Sequence, residues 1–152
     1  MLNLSIIIPV FNESNYLERV LQDLEKYFNS SDTEIIFVND GSTDGSKELI
    51  ENYLSKGTST SNIKLINFEK NKGKGKAVRD GIKESSGKYI LLQDADLELD
   101  LKDSNELYEI IKSNDEIKCI FGSRYLSGKL KKNNYFFNQL VAKLNSIIFN
   151  LL

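Results

Sequence analysis

The chain has 152 residues, enough for one domain with a buried core. Hydrophobic residues make up 40% and charged residues 28%, which excludes a disordered tail and a membrane bundle. A net charge of −2 argues against a nucleic-acid partner, and the lack of any histidine removes imidazole bases, Ser-His-Asp triads and His-ligated zinc together.

Any resident metal must therefore sit on oxygen ligands, which points to Mg2+ or Mn2+. The single cysteine, Cys119, cannot form an internal disulfide and is expected as a small apolar core residue in a strand. The first apolar run, residues 4–11, is short and lacks a cationic start, so no secretory signal is expected. No stretch reaches the ~20 apolar residues that span a bilayer.

Strand and helix patterns alternate. Residues 4–10 are a short β-branched run of the kind buried on both faces of a sheet, with Pro9 near its end, where a lost ladder donor matters least. Leu17, Val20, Leu21, Leu24 and Phe28 then fall at helical spacing. Residues 34–38 form a second buried strand, and Ser42 or Thr43 is expected to cap a helix carrying Leu49, Ile50, Tyr53 and Leu54. Residues 56–62 read as a loop and 63–68 as a third strand. Ala77, Val78, Gly81 and Ile82 mark a helix whose small residues allow close packing on a sheet. Residues 89–92 are a fourth strand, Leu107, Ile110 and Ile111 mark a helix, and residues 117–121 are expected as a fifth strand. Such alternation implies a mostly parallel sheet covered on both faces, which binds ligands beyond the C-terminal ends of its strands.

The polar clusters fall at those ends: Asn12-Glu13, Asn39-Asp40-Gly41-Ser42, residues 71–76, residues 93–98 and Gly122-Ser123-Arg124. Asp94 and Asp96 are two apart, so in extended chain both carboxylates point the same way and repel unless a cation lies between them. The bland alternative is a pair of solvated turn acids, and placement after a buried strand beside four other polar loops favours the metal. A divalent ion there could bridge the phosphates of a nucleotide. Asp40 can accept the imide proton of a uracil or the amino and imino protons of a guanine. Asp44 is better read as stabilising a helix start. Asn71-Lys72-Gly73-Lys74-Gly75-Lys76-Ala77 lacks the Gly-Lys-Ser/Thr ending of a P-loop. Gly73 and Gly75 would let the backbone approach a nucleotide, while the lysines are either a solvated face or positive potential near a diphosphate. No Gly-x-Gly-x-x-Gly follows the first strand, which argues against a dinucleotide dehydrogenase. Arg124 carries a planar fork suited to a phosphate or to a nearby acid.

Five segments thus occur in order: Pro9-Val10-Phe11-Asn12-Glu13, Asn39-Asp40-Gly41-Ser42-Thr43-Asp44, Asn71 through Ala77, Asp94-Ala95-Asp96-Leu97-Glu98 and Gly122-Ser123-Arg124. With these the chain resembles the family 2 glycosyltransferases of GT-A fold, and within them the dolichyl-phosphate mannose or glucose synthases and their polyprenyl-phosphate relatives. The resemblance runs from residue 4 to about residue 140 and implies an α/β, Rossmann-like open sheet with helices on both faces. It implies that Pro9, Val10, Phe11 and Glu13 line a base and ribose pocket and that Asp40 contacts the base. Gly73, Lys74 and Asp94 complete the nucleotide site on this reading. Asp94 and Asp96 would hold Mg2+ or Mn2+, with Asp96 and Arg124 catalytic, and Glu98 (Gln in many relatives) and Arg124 would face the substrate. The donor would be a GDP- or UDP-sugar, transferred with inversion to a lipid phosphate at a membrane surface.

A lipid phosphate is already an anion and needs no general base, which favours it over the alternative of a saccharide or other hydroxyl acceptor. Family members continue beyond residue 152, so a third expectation is a donor-binding module without turnover. We expect one nucleotide-sugar-binding domain over 1–152, with a core to about residue 126 and an apolar helix over 133–152. That helix would pack on the core or lie on a membrane behind Lys129, Lys131 and Lys132. The expected location is cytoplasmic, peripheral on the inner membrane face.

Overall fold

Among the described residues eight elements alternate: β1 (Leu4–Val10), α1 (Ser14–Tyr27), β2 (Thr33–Asn39), α2 (Ser46–Ser55), β3 (Ile63–Asn67), α3 (Lys74–Glu84), β4 (Tyr89–Leu92) and α4 (Leu101–Ser113). The structure is a computed structural model and describes residues 2–56 and 62–122. Arg124 and the apolar segment 133–152 lie outside the described residues, which belong almost wholly to a unit ending at Ile120.

All four strands are parallel, in the order β3-β2-β1-β4. β1 is central, and β1 and β2 are buried along nearly their whole length. Their β-branched runs suit a position covered on both sides. Alternation divides the core in two. Leu4, Ile6, Ile8 and Val10 face α1, α2 and α4 through Leu17, Val20, Leu24, Ile50, Leu101 and Tyr108. Ile7, Ile36 and Val38 face α3 with Phe68 and Ala77. The small face expected on α3 is real: a Cβ on Gly81 would lie 2.5 Å from Ile7 Cγ2, so the helix rests on the sheet with no room for a methyl group.

Several expectations are corrected. Helix α2 starts at Ser46, not after Ser42 or Thr43, because Gly45 takes a left-handed φ of 92° at the N-cap. Asp44 Oδ1, not a Ser42 or Thr43 side chain, accepts the first amide, Ser46 N–H, at 3.0 Å. On α4 the buried stripe is Leu101, Ser104 and Tyr108, and Ile110 is exposed. Residues 117–121 form no strand: α4 ends in a turn closed by Ile117 N–H to Asn114 O and by Asn114 Oδ1, which takes Glu116 N–H. Cys119 accordingly is exposed rather than in the core. β4 is half-covered, with Ile90 and Leu92 exposed on the α3 side.

At the N-terminal ends of the strands, opposite the loops that carry the polar motifs, Glu34 is fully buried. Its Oε1 accepts Ser5 Oγ–H at 2.7 Å and Ser86 N–H at 2.5 Å, and Lys64 Nζ pairs with Oε2 at 3.0 Å. Burial works against its charge, but the Ser5, Ser86 and Lys64 donors outweigh it and hold the carboxyl below its ordinary value of 4.5. The folded value is below the unfolded one, so Glu34 stabilises the fold above about pH 4.5 and loses that contribution as pH falls through the lowered value. Chemical denaturation between pH 7 and pH 3 is expected to show stability falling on acidification, and Glu34→Gln is expected to be less stable at pH 7 but to lose less on acidification. An unchanged pH slope in that variant would assign the acid sensitivity elsewhere.

Candidate active site

The strand order makes β1 the switch point, with β2 on one side and β4 on the other, and the crevice beyond β1 and β4 is where an open α/β sheet takes its ligand. Pro9 helps open it. β1 pairs with β4 only from Leu4 to Ile7, and the last bond is Gln93 N–H to Ile7 O. Pro9, two residues on, turns the same way and has no N–H to offer, so the ladder stops where the crevice begins. β1 stays paired with β2 as far as Val10.

The cleft there is lined by Pro9, Val10, Phe11, Glu13, Asp40, Asn71, Lys74, Asp94, Ala95 and Asp96. Eight of these were expected from sequence; Asn71 and Ala95 were not assigned. Gly73 and Glu98 do not line it, and Arg124 lies outside the described residues. The volume is about 170 Å³, below the ~300 Å³ at the small end of ligand pockets. The described residues therefore form part of a site rather than an enclosed one. Phe11, 44% exposed, offers an aromatic face at this edge.

Two loops are tied together beside Phe11. Asn12 N–H donates to Ser42 Oγ at 3.0 Å, Glu13 N–H to Ser46 Oγ at 2.9 Å and Ser14 N–H to Asp44 Oδ2 at 2.9 Å, while Asn12 Oδ1 accepts Thr43 N–H at 2.8 Å. Asp44 thus serves the N-termini of both α1 and α2. Burial opposes its charge, but these donors from Ser46 and Ser14 hold it far below the usual carboxylate range.

Asp40 is 2% exposed and grips the next loop, Oδ1 accepting Lys72 N–H at 2.6 Å and Oδ2 accepting Gly73 N–H at 2.9 Å. Its carboxylate is thus an internal clamp, and each oxygen keeps a further lone pair for a ligand. The loops also touch at Gly41, whose φ is +72° and whose missing Cβ would sit 2.5 Å from the Lys70 carbonyl carbon. Gly41→Ala combines a left-handed alanine with a backbone clash, and is expected to lower stability by about 2–4 kcal/mol. Thermal unfolding checks this; a loss below the error of the measurement would contradict the contact.

The Asp94–Asp96 turn is stapled from behind by a residue not singled out in the sequence. Gln93, 1% exposed, donates Nε2–H to the carbonyls of Asp94 at 3.2 Å and Leu99 at 3.1 Å and accepts Ser104 Oγ–H at 2.7 Å. The available signal was a glutamine closing the apolar run Tyr89 to Leu92. Ala95 is buried, and Asp94 and Asp96 stand on either side of it. Asp96 Oδ1 accepts Glu98 N–H at 3.0 Å across Leu97, which takes a φ of 58°. Asn12 (φ 57°) and Leu97 are the positive-φ non-glycine residues of the described chain, so backbone strain is stored on both loops that flank the cleft.

The electrostatics are those of crowded carboxylates. Burial, then Asp96, Asp44 and Asp94, push the Glu13 carboxyl above its ordinary value, with Lys74 working the other way. Lys74 Nζ is 2.6 Å from Asp94 Oδ1. Among the described residues no three acidic side chains converge as a ready-made metal cage. Two carboxylates at the cleft nonetheless fit Mg2+ or Mn2+, which typically take one or two protein carboxylates and fill the other positions with phosphate oxygens and water.

Fold and crevice together define a doubly wound α/β ligand-binding domain. The chain matches the family model "Glycosyl transferase family 2" over residues 5–150. It is 40% identical over 131 residues to a dolichyl-phosphate beta-glucosyltransferase of Dictyostelium discoideum, covering 80% of this chain and 39% of that protein. It is 33% identical over 142 residues to a dolichol-phosphate mannosyltransferase of Pyrococcus furiosus, covering 93% and 39%. The crystal structure of S. aureus TarS 1-349 superposes with a TM-score of 0.62 at 26% identity, covering 75% of this chain and 33% of TarS, and the same fragment has been solved with UDP. The chain belongs to glycosyl transferase family 2, and its fold is of the GT-A type. It spans about two-fifths of the length of these two curated relatives.

Proposed function

We propose that the protein transfers a sugar from a GDP- or UDP-sugar to a polyprenyl phosphate, with inversion and with Mg2+ or Mn2+. The observation that carries this reading is the pair Asp94 and Asp96 in the switch-point crevice, in one cleft with an exposed aromatic and the Asp40 clamp. Phe11 would support the base, and Pro9, Val10, Glu13 and Asp40 would form the nucleotide pocket. Asp94 and Asp96 would hold the cation, which supplies neutralisation of the charge left on the departing diphosphate. Lys74 would add positive potential beside them. Glu98 and Arg124 are proposed for the sugar and acceptor side.

An oxygen of the acceptor phosphate would attack the anomeric carbon while the bond to the donor's β-phosphate oxygen breaks. A single displacement inverts that carbon and releases GDP or UDP. The acceptor oxygen is already charged, so no base is required, which suits a chain without histidine. The two curated relatives are named for transfer to dolichyl phosphate and dolichol phosphate, and TarS has been solved with UDP. Contact with the lipid is proposed at the membrane surface; among the described residues no helix is long and apolar enough to cross a membrane.

The test is incubation with radiolabelled GDP-mannose or UDP-glucose, Mn2+ and polyprenyl phosphate in detergent. Label extracted with the lipid, lost on adding chelator, is expected. Label found only on a saccharide acceptor would favour the hydroxyl-acceptor reading, and donor binding with no transfer to either would leave a donor-binding module.

A further inference from the structure

Asp94, one of the two carboxylates read as metal ligands, already has a cation. The Lys74 ammonium lies 2.6 Å from its Oδ1, although the lysine is 62% exposed and could point to solvent. Its neighbours are engaged elsewhere. Lys72 Nζ lies over the Phe68 ring at 4.3 Å, and Lys76 Nζ pairs with Asp80 on its own helix. The position of Lys74 is held from below, because it follows Gly73, whose N–H is fixed by Asp40. Of the three alternating lysines Lys72, Lys74 and Lys76, only Lys74, the first residue of α3, is paired with the carboxylate that a divalent ion would use.

We propose that Lys74 is an internal competitor for the divalent cation: its ammonium occupies Asp94 in the nucleotide-free protein, and metal binding requires its displacement from that oxygen. The inference rests on the reading of Asp94 as a metal ligand. The displaced ammonium stays on the cleft wall, where a diphosphate is its natural partner, so donor and metal would each favour the other's binding. Metal alone would bind weakly and metal with nucleotide well. This suits a site whose protein ligands are two carboxylates and whose remaining ligands come with the substrate.

The test is Mn2+ alone, titrated into the protein without nucleotide and followed by the loss of the free-ion electron paramagnetic resonance signal. Lys74→Gln is expected to bind Mn2+ about three- to tenfold more tightly than the wild type, from loss of both the ion pair and the like-charge repulsion. Lys72→Gln removes the same charge two residues away and is expected to change Mn2+ affinity by less than about twofold. With Mn2+ saturating, Lys74→Gln is expected to bind GDP or UDP more weakly than the wild type. Equal or weaker Mn2+ binding by Lys74→Gln, with binding lost in Asp94→Asn, would overturn the competition while sparing the metal site. The same gain in Lys72→Gln as in Lys74→Gln would reduce it to general charge. Equal Mn2+ binding by Asp94→Asn and wild type would remove the metal reading, and the inference with it.

Discussion

Asp96→Asn is expected to lower sugar transfer by more than about 100-fold while leaving the fold intact. Asparagine has the same shape and keeps an Oδ1 acceptor for Glu98 N–H, so the turn across Leu97 survives. What disappears is the negative charge opposite Asp94, and with it half of the proposed protein contribution to the metal. Loss of one carboxylate also eases the crowding that raises the Glu13 carboxyl, for which Asp96 is the largest charged cause. The variant should therefore unfold at or slightly above the wild-type temperature even as turnover collapses. Thermal unfolding and a transfer assay on one preparation check both halves. Full activity of Asp96→Asn in the presence of chelator would sink the metal role.

Asp40→Ala is expected to act the other way, on stability first. Lys72 N–H and Gly73 N–H both reach the Asp40 carboxylate, and truncation of this 2% exposed group leaves Lys72 N–H without its acceptor and Gly73 N–H with only Asn71 Oδ1 at 3.0 Å. Hydrogen bonds to charged groups contribute about 1.5–3 kcal/mol each, and water can replace part of this at exposed Lys72, so a net loss of about 2–4 kcal/mol follows. For a chain of this size that lowers the melting temperature by roughly 5–15 °C. Asp40→Asn keeps one acceptor and should lose about half as much. Donor affinity should fall in both variants, because Lys74 follows directly from the clamped Gly73. A wild-type melting temperature with weakened nucleotide binding would mean that Asp40 acts on the base alone.

The parts of the fold legible in the sequence were those set by periodicity. Leu4 to Val10 and Glu34 to Val38 read as doubly buried strands and are buried along nearly their whole length, and Leu17, Val20, Leu21 and Leu24 mark the buried stripe of α1. The small face of α3 was visible because only Ala77 and Gly81 permit that contact with Ile7. Expectations failed where local pattern does not decide. Residues 117–121 are apolar enough for a strand, but a strand exists only where a neighbour completes its ladder, and among the described residues none pairs with them. Leu107, Ile110 and Ile111 mark α4 as a helix, which it is, but they do not give its whole inner face: Ile111 packs against the core, Ile110 is exposed, and the buried positions are Leu101, Ser104 and Tyr108. At the cleft, the strand-end rule found Asp40, Asp94 and Asp96 because acids at the ends of buried strands need a reason. Gln93 was missed because one glutamine carries no pattern, and the Lys74–Asp94 pair because residues twenty apart meet only through the order β3-β2-β1-β4.

The central claim is that this crevice holds a nucleoside diphosphate through a divalent cation on Asp94 and Asp96. Calorimetric titration of GDP and UDP, each with and without Mn2+, into the wild type, Asp94→Asn and Asp96→Asn tests it most directly. One of the two nucleotides should bind with one-to-one stoichiometry, at least about tenfold more tightly with Mn2+, and both variants should lose that gain. Nucleotide binding of equal strength with and without Mn2+, unchanged in both variants, would contradict it.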